Sequence, residues 1–292
     1  MPDGKTSDVP KGTRVELAQS DDPEVLQQLL KRYWGWHSDE SLTEAARILL
    51  ATDLGWEHTQ NLTHPPIGAV VSPLGYALDH EDPSIRDAAF QVLDSMVEIP
   101  AGEVLVGEGV APVWVDAFQM GRYPVTNAEY RRFIQQTGHE PPPPWVEGEY
   151  PELTGDHPVT WVSCADAEAY ATWGGCQLPT FEAWQRAVRG DDERAFPWGD
   201  EIDKPRCNTA ELGVGGTTPV GTFPEGVSPF GCYDMLGNVW EWTSTWYDDA
   251  DPQFRVVRGG AWYYNHEHST CTSYDFFSKE YTEFVIGFRV AR

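Results

Sequence analysis

From Asp21 onward the apolar positions recur at helical spacing. DDPEVLQQLLKRYWGW opens on a capping acid with a proline in its first turn, and SDESLTEAARILLATDLG repeats the arrangement and ends on Gly55. HEDPSIRDAAFQVLDSM predicts a third helix, with Asp82 as cap, Pro83 at the first position, and Ile85, Ala88, Ala89, Val92 and Leu93 as the buried stripe. Residues 1–20 are polar and read as a mobile lead-in. A small helical domain is therefore expected over residues 21–96. One such unit cannot bury both of its faces, so it should pack on the larger C-terminal part of the chain or on a partner.

After Met96 the texture changes to short strands, turns and tryptophans. VEIPAGEVLVGE reads as a hairpin around Pro100, Ala101 and Gly102, and VWVDAFQMGRYPVTNAEYRRFIQQTG as a strand, a turn and a helix capped at Thr126 or Asn127. The four prolines from Pro141 to Pro144 demand an exposed loop. Two further helices start at Ser163 and at Thr180, the second with Glu182 and Arg186 as an i,i+4 pair. Between Gly190 and Gly226 lies a long irregular segment of the kind that bound ions commonly pin.

The stretch GCYDMLGNVWEWTSTWYDD puts Gly237 and Asn238 at a turn before an alternating run. Trp240 and Trp242 then share one face and Val239, Glu241 and Thr243 the other. A carboxylate at Glu241, facing a turn between buried tryptophans, needs a partner. The Asp234 carboxylate and the turn carbonyls would complete an oxygen cage for calcium. The competing reading is that Glu241 simply accepts backbone N–H bonds.

Charge narrows the functional classes. Forty-six acidic against twenty basic residues among 292 give a net charge of -26, which repels phosphate backbones and anionic lipid. No nucleic acid and no membrane partner is expected. The absence of a long apolar run and of a signal-peptide layout leads to the expectation of a cytoplasmic protein. The five cysteines include no C-x-x-C pair, so neither a disulfide scaffold nor a zinc knuckle is indicated.

The helix from Asp82 resembles one helix of a HEAT-type repeat. Beyond it, VEIPAGEVLVGE, YPVTNAEYRRF, HPVTWVSCADAEAYATW, LPTFEAWQRAVRG, FPWGD, CN with TTPVG, YDMLGNVWEW, RVVRGGAW and IGFRVAR run in order through residues 97–292. This series resembles the successive motifs of the formylglycine-generating enzyme (sulfatase-modifying factor) family. The resemblance implies an α+β, C-type-lectin-like fold with much irregular structure and structural calcium. By position, one calcium site would use Asp234, Gly237, Val239 and Glu241, and a second Asn208, the Thr209 carbonyl and Glu211.

The same resemblance counts against catalysis. The family's two copper-binding cysteines fall at Tyr264 and Ser269, and neither a phenol nor an alcohol replaces a thiolate. Copper is thus not expected. The sulfoxide-synthase branch is disfavoured as well, because His37, His58, His64 and His80 lack its iron-binding spacing. An enzymatic alternative, a metal-dependent oxidase acting on a cysteine peptide, would need His266, His268 and Cys271 as an N,N,S site on extended chain.

Segment 263–285 is dense in Tyr, Phe, His, Ser and Thr and poor in aliphatics, a mix suited to adaptable contact. It also resembles the variable region of lectin-fold proteins diversified by retroelements. Diversified or not, the segment predicts a face that binds a protein or other ligand through Tyr263, Tyr264, Asn265, His266, His268, Ser269, Tyr274, Phe276, Phe277 and Tyr281.

Overall fold

The computed structural model describes residues 73–80, 82–106, 112–151, 154–202 and 206–292. The lead-in and the first two expected helices lie outside the described residues. Helix α1 (Pro73–Leu78) precedes α2 (Pro83–Leu93), which starts as expected: the Asp82 carboxylate accepts from Ser84 N at 2.9 Å, and the five predicted stripe residues are buried. Those residues belong to the same apolar cluster as Tyr123, Tyr130 and Phe133 further along the chain. Polar contacts reinforce the docking. Arg132 pairs with Asp94 at 3.1 Å and lies over the Phe90 ring, while Arg131 reaches Asp79 at 3.3 Å.

Strand β1 (Met96–Ile99) pairs antiparallel with β4 (Phe118–Gly121), and β2 (Gly102–Val104) with β3 (Val113–Val115). This corrects the expected hairpin: β1 and β2 flank the Pro100–Ala101 bend but take different partners. The physical reason is Arg186, whose guanidinium fills the bend and donates to the Pro100 carbonyl at 3.1 Å and the Ala101 carbonyl at 3.5 Å. Arg186 is buried and also reaches Asp191 at 2.7 Å, so the expected pair with Glu182 does not form.

Helix α3 (Asn127–Thr137) carries a full capping box between Thr126 and Glu129 and stops at Gly138 in the left-handed region. Helix α4 (Cys164–Trp173) has the same device at Ser163 and Asp166, and α5 (Phe181–Arg189) is capped by the Thr180 hydroxyl. A four-stranded sheet completes the fold in the order β7 (Tyr274–Ser278), β6 (Phe254–Arg258), β5 (Trp240–Trp246), β8 (Ile286–Phe288). β5 pairs antiparallel with β6 and parallel with β8. Residues 289–292 continue across the molecule to Gln119 and Gln177. Two apolar clusters result: a larger one beneath Trp240 and Trp242, and a smaller one around Trp184, Met235 and Cys271.

Among the described residues Glu129 is the one capping acid that is buried, and burial, followed by the Asp94 charge, pushes its carboxyl up to about 7 from 4.5. The folded state then holds this proton more tightly than the unfolded chain. Stability falls as pH rises from about 4.5 to about 7, by on the order of 3 kcal/mol. Glu129→Gln keeps an acceptor for Thr126 and should remove that slope. In urea titrations the variant gains on the wild type across this window; a difference constant with pH would refute the assignment.

Candidate functional site

Glu241 and its partners organise the site. The residue is fully buried; one oxygen accepts from Trp184 Nε1 at 2.6 Å and Arg289 Nε at 2.7 Å, the other from an Arg289 terminal nitrogen at 2.6 Å. Arg289 spends its remaining donors on the carbonyls of Gly121, Arg122 and Tyr233. Burial opposes the guanidinium charge, but Glu241 more than offsets it and holds Arg289 above its usual range. The partners of Glu241 are thus side chains, not the backbone N–H groups of the competing reading. Arg289 escaped the sequence reading because IGFRVAR registered only as a motif, with nothing local to tie its arginine to an acid 48 residues earlier.

The expected calcium ligands fall around the turn before β5. Asp234 Oδ2 accepts from Gly221 N at 2.7 Å, and burial, opposed by that bond and by Arg289, pushes the carboxyl up to about 6. Gly237 and Asn238 are both left-handed, and a Cβ on Gly237 would collide with the Asn208 carbonyl, which already accepts from Asn238 N at 2.8 Å. The two loops read as separate ion sites therefore lie against each other. Asn208 Nδ2 donates to Gly216 O and Asn238 Oδ1, which leaves Asn208 Oδ1 buried without a hydrogen-bond partner. Val239 and Thr209 are buried beside these loops. Glu211 turns elsewhere, to His266, with its carboxylate 2.6 Å from Nδ1 and 3.0 Å from the backbone N. An unsatisfied amide oxygen and a buried carboxylate suit a hard cation at Asn208 and Asp234, whereas the Glu241 and Glu211 oxygens are engaged by basic side chains.

Tyr264 is half-buried with its ring 5.8 Å from that of Trp240, and Ser269 is fully buried under Gly260. The sulfatase-modifying factor enzyme 1-like domain family matches residues 82–292. The chain belongs to this family. Hercynine oxygenase of Mycolicibacterium smegmatis is 34% identical over 200 residues, 51% of this chain and 46% of that protein. Formylglycine-generating enzyme of Bos taurus is 34% identical over 218 residues, 52% of this chain and 58% of the relative. The chain thus spans about half the length of these two curated relatives. The inactive C-alpha-formylglycine-generating enzyme 2 of Bos taurus is 30% identical over 235 residues, covering 58% of this chain and 76% of that one. Among solved structures, PvdO from Pseudomonas aeruginosa superposes with a TM-score of 0.57 at 23% identity over 68% of this chain and 93% of its own. Treponema denticola variable protein 1 does so with a TM-score of 0.51 at 18% identity over 67% and 94%. These two share the C-type-lectin-like fold.

In this sulfatase-modifying-factor domain the N,N,S arrangement does not form. His266–His268 is a 3-10 turn, in which residues two apart point to different sides, and Cys271 lies in the smaller apolar cluster with burial pushing its thiol up to about 12. Among the described residues no three His, Cys, Asp or Glu side chains gather as a metal cluster.

The expected binding residues are mostly at the surface. Tyr263, Asn265, His268, Tyr274 and Tyr281 are exposed, and Tyr264, His266, Phe276 and Phe277 half-buried. Ser269 is the correction: it is fully buried because Gly260 leaves only enough room for its hydroxyl to pack there. The surface also splits in two. Tyr274 and Phe276 lie on one side of β7, where Tyr247 and Phe254 join Phe276, and Phe277 lies on the other, stacked on Tyr281 with ring centroids 5.1 Å apart. Tyr247, Phe254 and Phe284 went unread because they lie outside the segment or look like core.

Arg258, at the start of the RGGAW motif, is fully buried between the rings of Phe181 and Trp184. One terminal nitrogen reaches Gln185 Oε1 and, at 2.6 Å, Cys271 O. Its Nε and other terminal nitrogen find no acceptor, and burial holds the group down at about 9. A buried cation with only neutral partners is costly. Gln185→Glu supplies the missing charge at an atom already in contact, so the melting temperature at pH 7 should rise by several degrees. A fall of similar size would show that the neutral pairing is preferred.

Proposed function

We propose that this domain is a non-catalytic binding module whose ligand face is built by segment 263–285. The observation that carries the reading is the chemistry at the family's copper positions: a phenol at Tyr264, a buried hydroxyl at Ser269, and a neighbouring thiol, Cys271, that is fully buried and hard to ionise. Thiolate chemistry has no accessible sulfur there. The exposed aromatic side chains are costly in water unless a partner covers them, and kinship with a relative named inactive is in keeping with a scaffold kept for recognition. The strong negative charge favours a protein partner over nucleic acid or an anionic membrane. The expected test outcome is twofold. Copper-loaded protein leaves the thiol of a Cys-x-Pro-x-Arg peptide unoxidised by mass spectrometry, and Tyr263→Ala/Tyr281→Ala melts within about 0.5 kcal/mol of the parent yet loses its captured partner. Aldehyde formation that disappears in Cys271→Ser would overturn the reading.

Calcium belongs to the same proposal as a structural ion. Asp234 and the Gly237 and Val239 carbonyls would hold one ion before β5, and Asn208 with the Thr209 carbonyl a second; the role is to neutralise buried oxygen and fix the irregular loops. At calcium a hundredfold above its dissociation constant, one site adds about 2.7 kcal/mol to stability. Thermal melts should rise in calcium over magnesium, and Asp234→Asn, which keeps an acceptor for Gly221 N, should lose most of the rise. Melting indifferent to calcium would leave the loops held by hydrogen bonds alone.

A further inference from the structure

A cavity of about 270 Å³ lies where the end of α2, the β1–β4 pair, helices α3 and α4 and the last residues of the chain meet. No residue of segment 263–285 lines it, so it stands apart from the proposed binding face. Its walls are mostly apolar, with Leu93, Val125, Val290, Tyr123 and Trp173, and it opens past the exposed Gly174 and Arg292. Helices α3 and α4 meet through the stacked rings of Tyr130 and Tyr170, 5.8 Å apart. That contact brings Tyr170 of α4 and Glu129, the neighbour of Tyr130 on α3, to the same cavity.

These two residues are 6% and 7% exposed, yet each offers the cavity a polar atom that the protein leaves unpaired. Glu129 Oε2 takes both Thr126 bonds, from the backbone N at 2.8 Å and the hydroxyl at 2.7 Å, and Oε1 has no donor among the described residues. The Tyr170 hydroxyl has no hydrogen-bond partner among them either. Burial, followed by the Glu129 charge, holds that hydroxyl well above its usual range, so it stays protonated and acts as a donor. Polar atoms of buried residues are seldom left without a partner. The charged groups around the cavity balance: Asp94 and Glu129 face Arg132 and Arg292, and Arg132 is already paired with Asp94 at 3.1 Å. An uncharged ligand therefore fits better than an ion.

Size and polarity together define the ligand. An engineered apolar cavity of about 150 Å³ holds benzene, so this one has room for two fused rings. Aromatic walls favour a flat molecule. One donor and one acceptor side by side call for the opposite pair on the ligand's edge, a carbonyl next to a ring N–H. We infer that this cavity is a second binding site, which takes a neutral fused two-ring heterocycle with a lactam edge, its N–H donating to Glu129 Oε1 and its carbonyl accepting from the Tyr170 hydroxyl. Purines and pteridines both present such an edge.

The probe is quinazolin-4-one, titrated calorimetrically into the full chain at about pH 8, where Glu129 is ionised and accepts. It should bind, and its N3-methyl derivative, which has lost the donor, should bind about tenfold or more weakly. Tyr170→Phe, which keeps the ring and removes only the hydroxyl, should weaken the parent probe by a similar factor, as should Glu129→Gln. Cys176→Trp, which places an indole in the cavity, should abolish binding, while Tyr263→Ala/Tyr281→Ala on the other face should leave it unchanged. Tighter binding of hypoxanthine or of pterin then names the purine or the pteridine source. Equal binding of the N-methyl derivative, or binding that survives both Tyr170→Phe and Glu129→Gln, would overturn the site. So would no heat of binding up to the solubility of the probe, which would leave the cavity to water. Binding lost in Tyr263→Ala/Tyr281→Ala would move the ligand to the 263–285 face and overturn the cavity alone.

Discussion

The buried pair between Glu241 and Arg289 is the constraint on which the rest of the structure depends. Two charges at zero exposure are tolerable only when nearly every polar atom is satisfied, and here the guanidinium has five acceptor contacts and the carboxylate three donors. Those contacts tie β5 to β8, reach α5 through Trp184, and draw in the backbone around Gly121 and Tyr233. An apolar substitute could fill the same volume, but it could not set the register of so many irregular segments at once. In a fold with short strands and long loops, directional bonds to carbonyls take over the role that continuous ladders play elsewhere.

Much of this architecture was legible because it is written locally. Asp82, Thr126, Ser163 and Thr180 each announce a helix by a side chain that bonds two or three residues ahead, and all four do so in the structure. The run of ordered motifs carried the lectin-like arrangement, which no periodicity could have supplied. What stayed hidden is non-local. The splayed strands at Pro100 depend on Arg186 from α5, the burial of Ser269 on the bare backbone of Gly260, and the partner of Glu241 on a residue near the end of the sheet. In the site, residue types were readable but their sides were not: the change from extended chain to a 3-10 turn at His266 separated two histidines that spacing alone had put together.

Scaffold and face are separate in this domain. The Glu241–Arg289 pair, Trp240 and Trp242 of β5 and the paired loops at Asn208 and Gly237 lie inside, whereas exposed rings collect along segment 263–285. Exposed side chains along the segment can then change without disturbing what folds.

The placement of Arg289 after that segment has a consequence for the integrity of the message. A frameshift or premature stop anywhere in the codons for 263–285 also removes the guanidinium that Glu241 requires, and a buried carboxylate left alone costs several kcal/mol. Copies with a scrambled reading frame would therefore be unable to close their interior and would be lost to proteolysis. In-frame exchanges at exposed positions such as Tyr263 and Tyr281 would leave that pair in place, so there the fold admits a change of side chain while rejecting a change of frame, whereas the buried Ser269 and Cys271 have no such freedom.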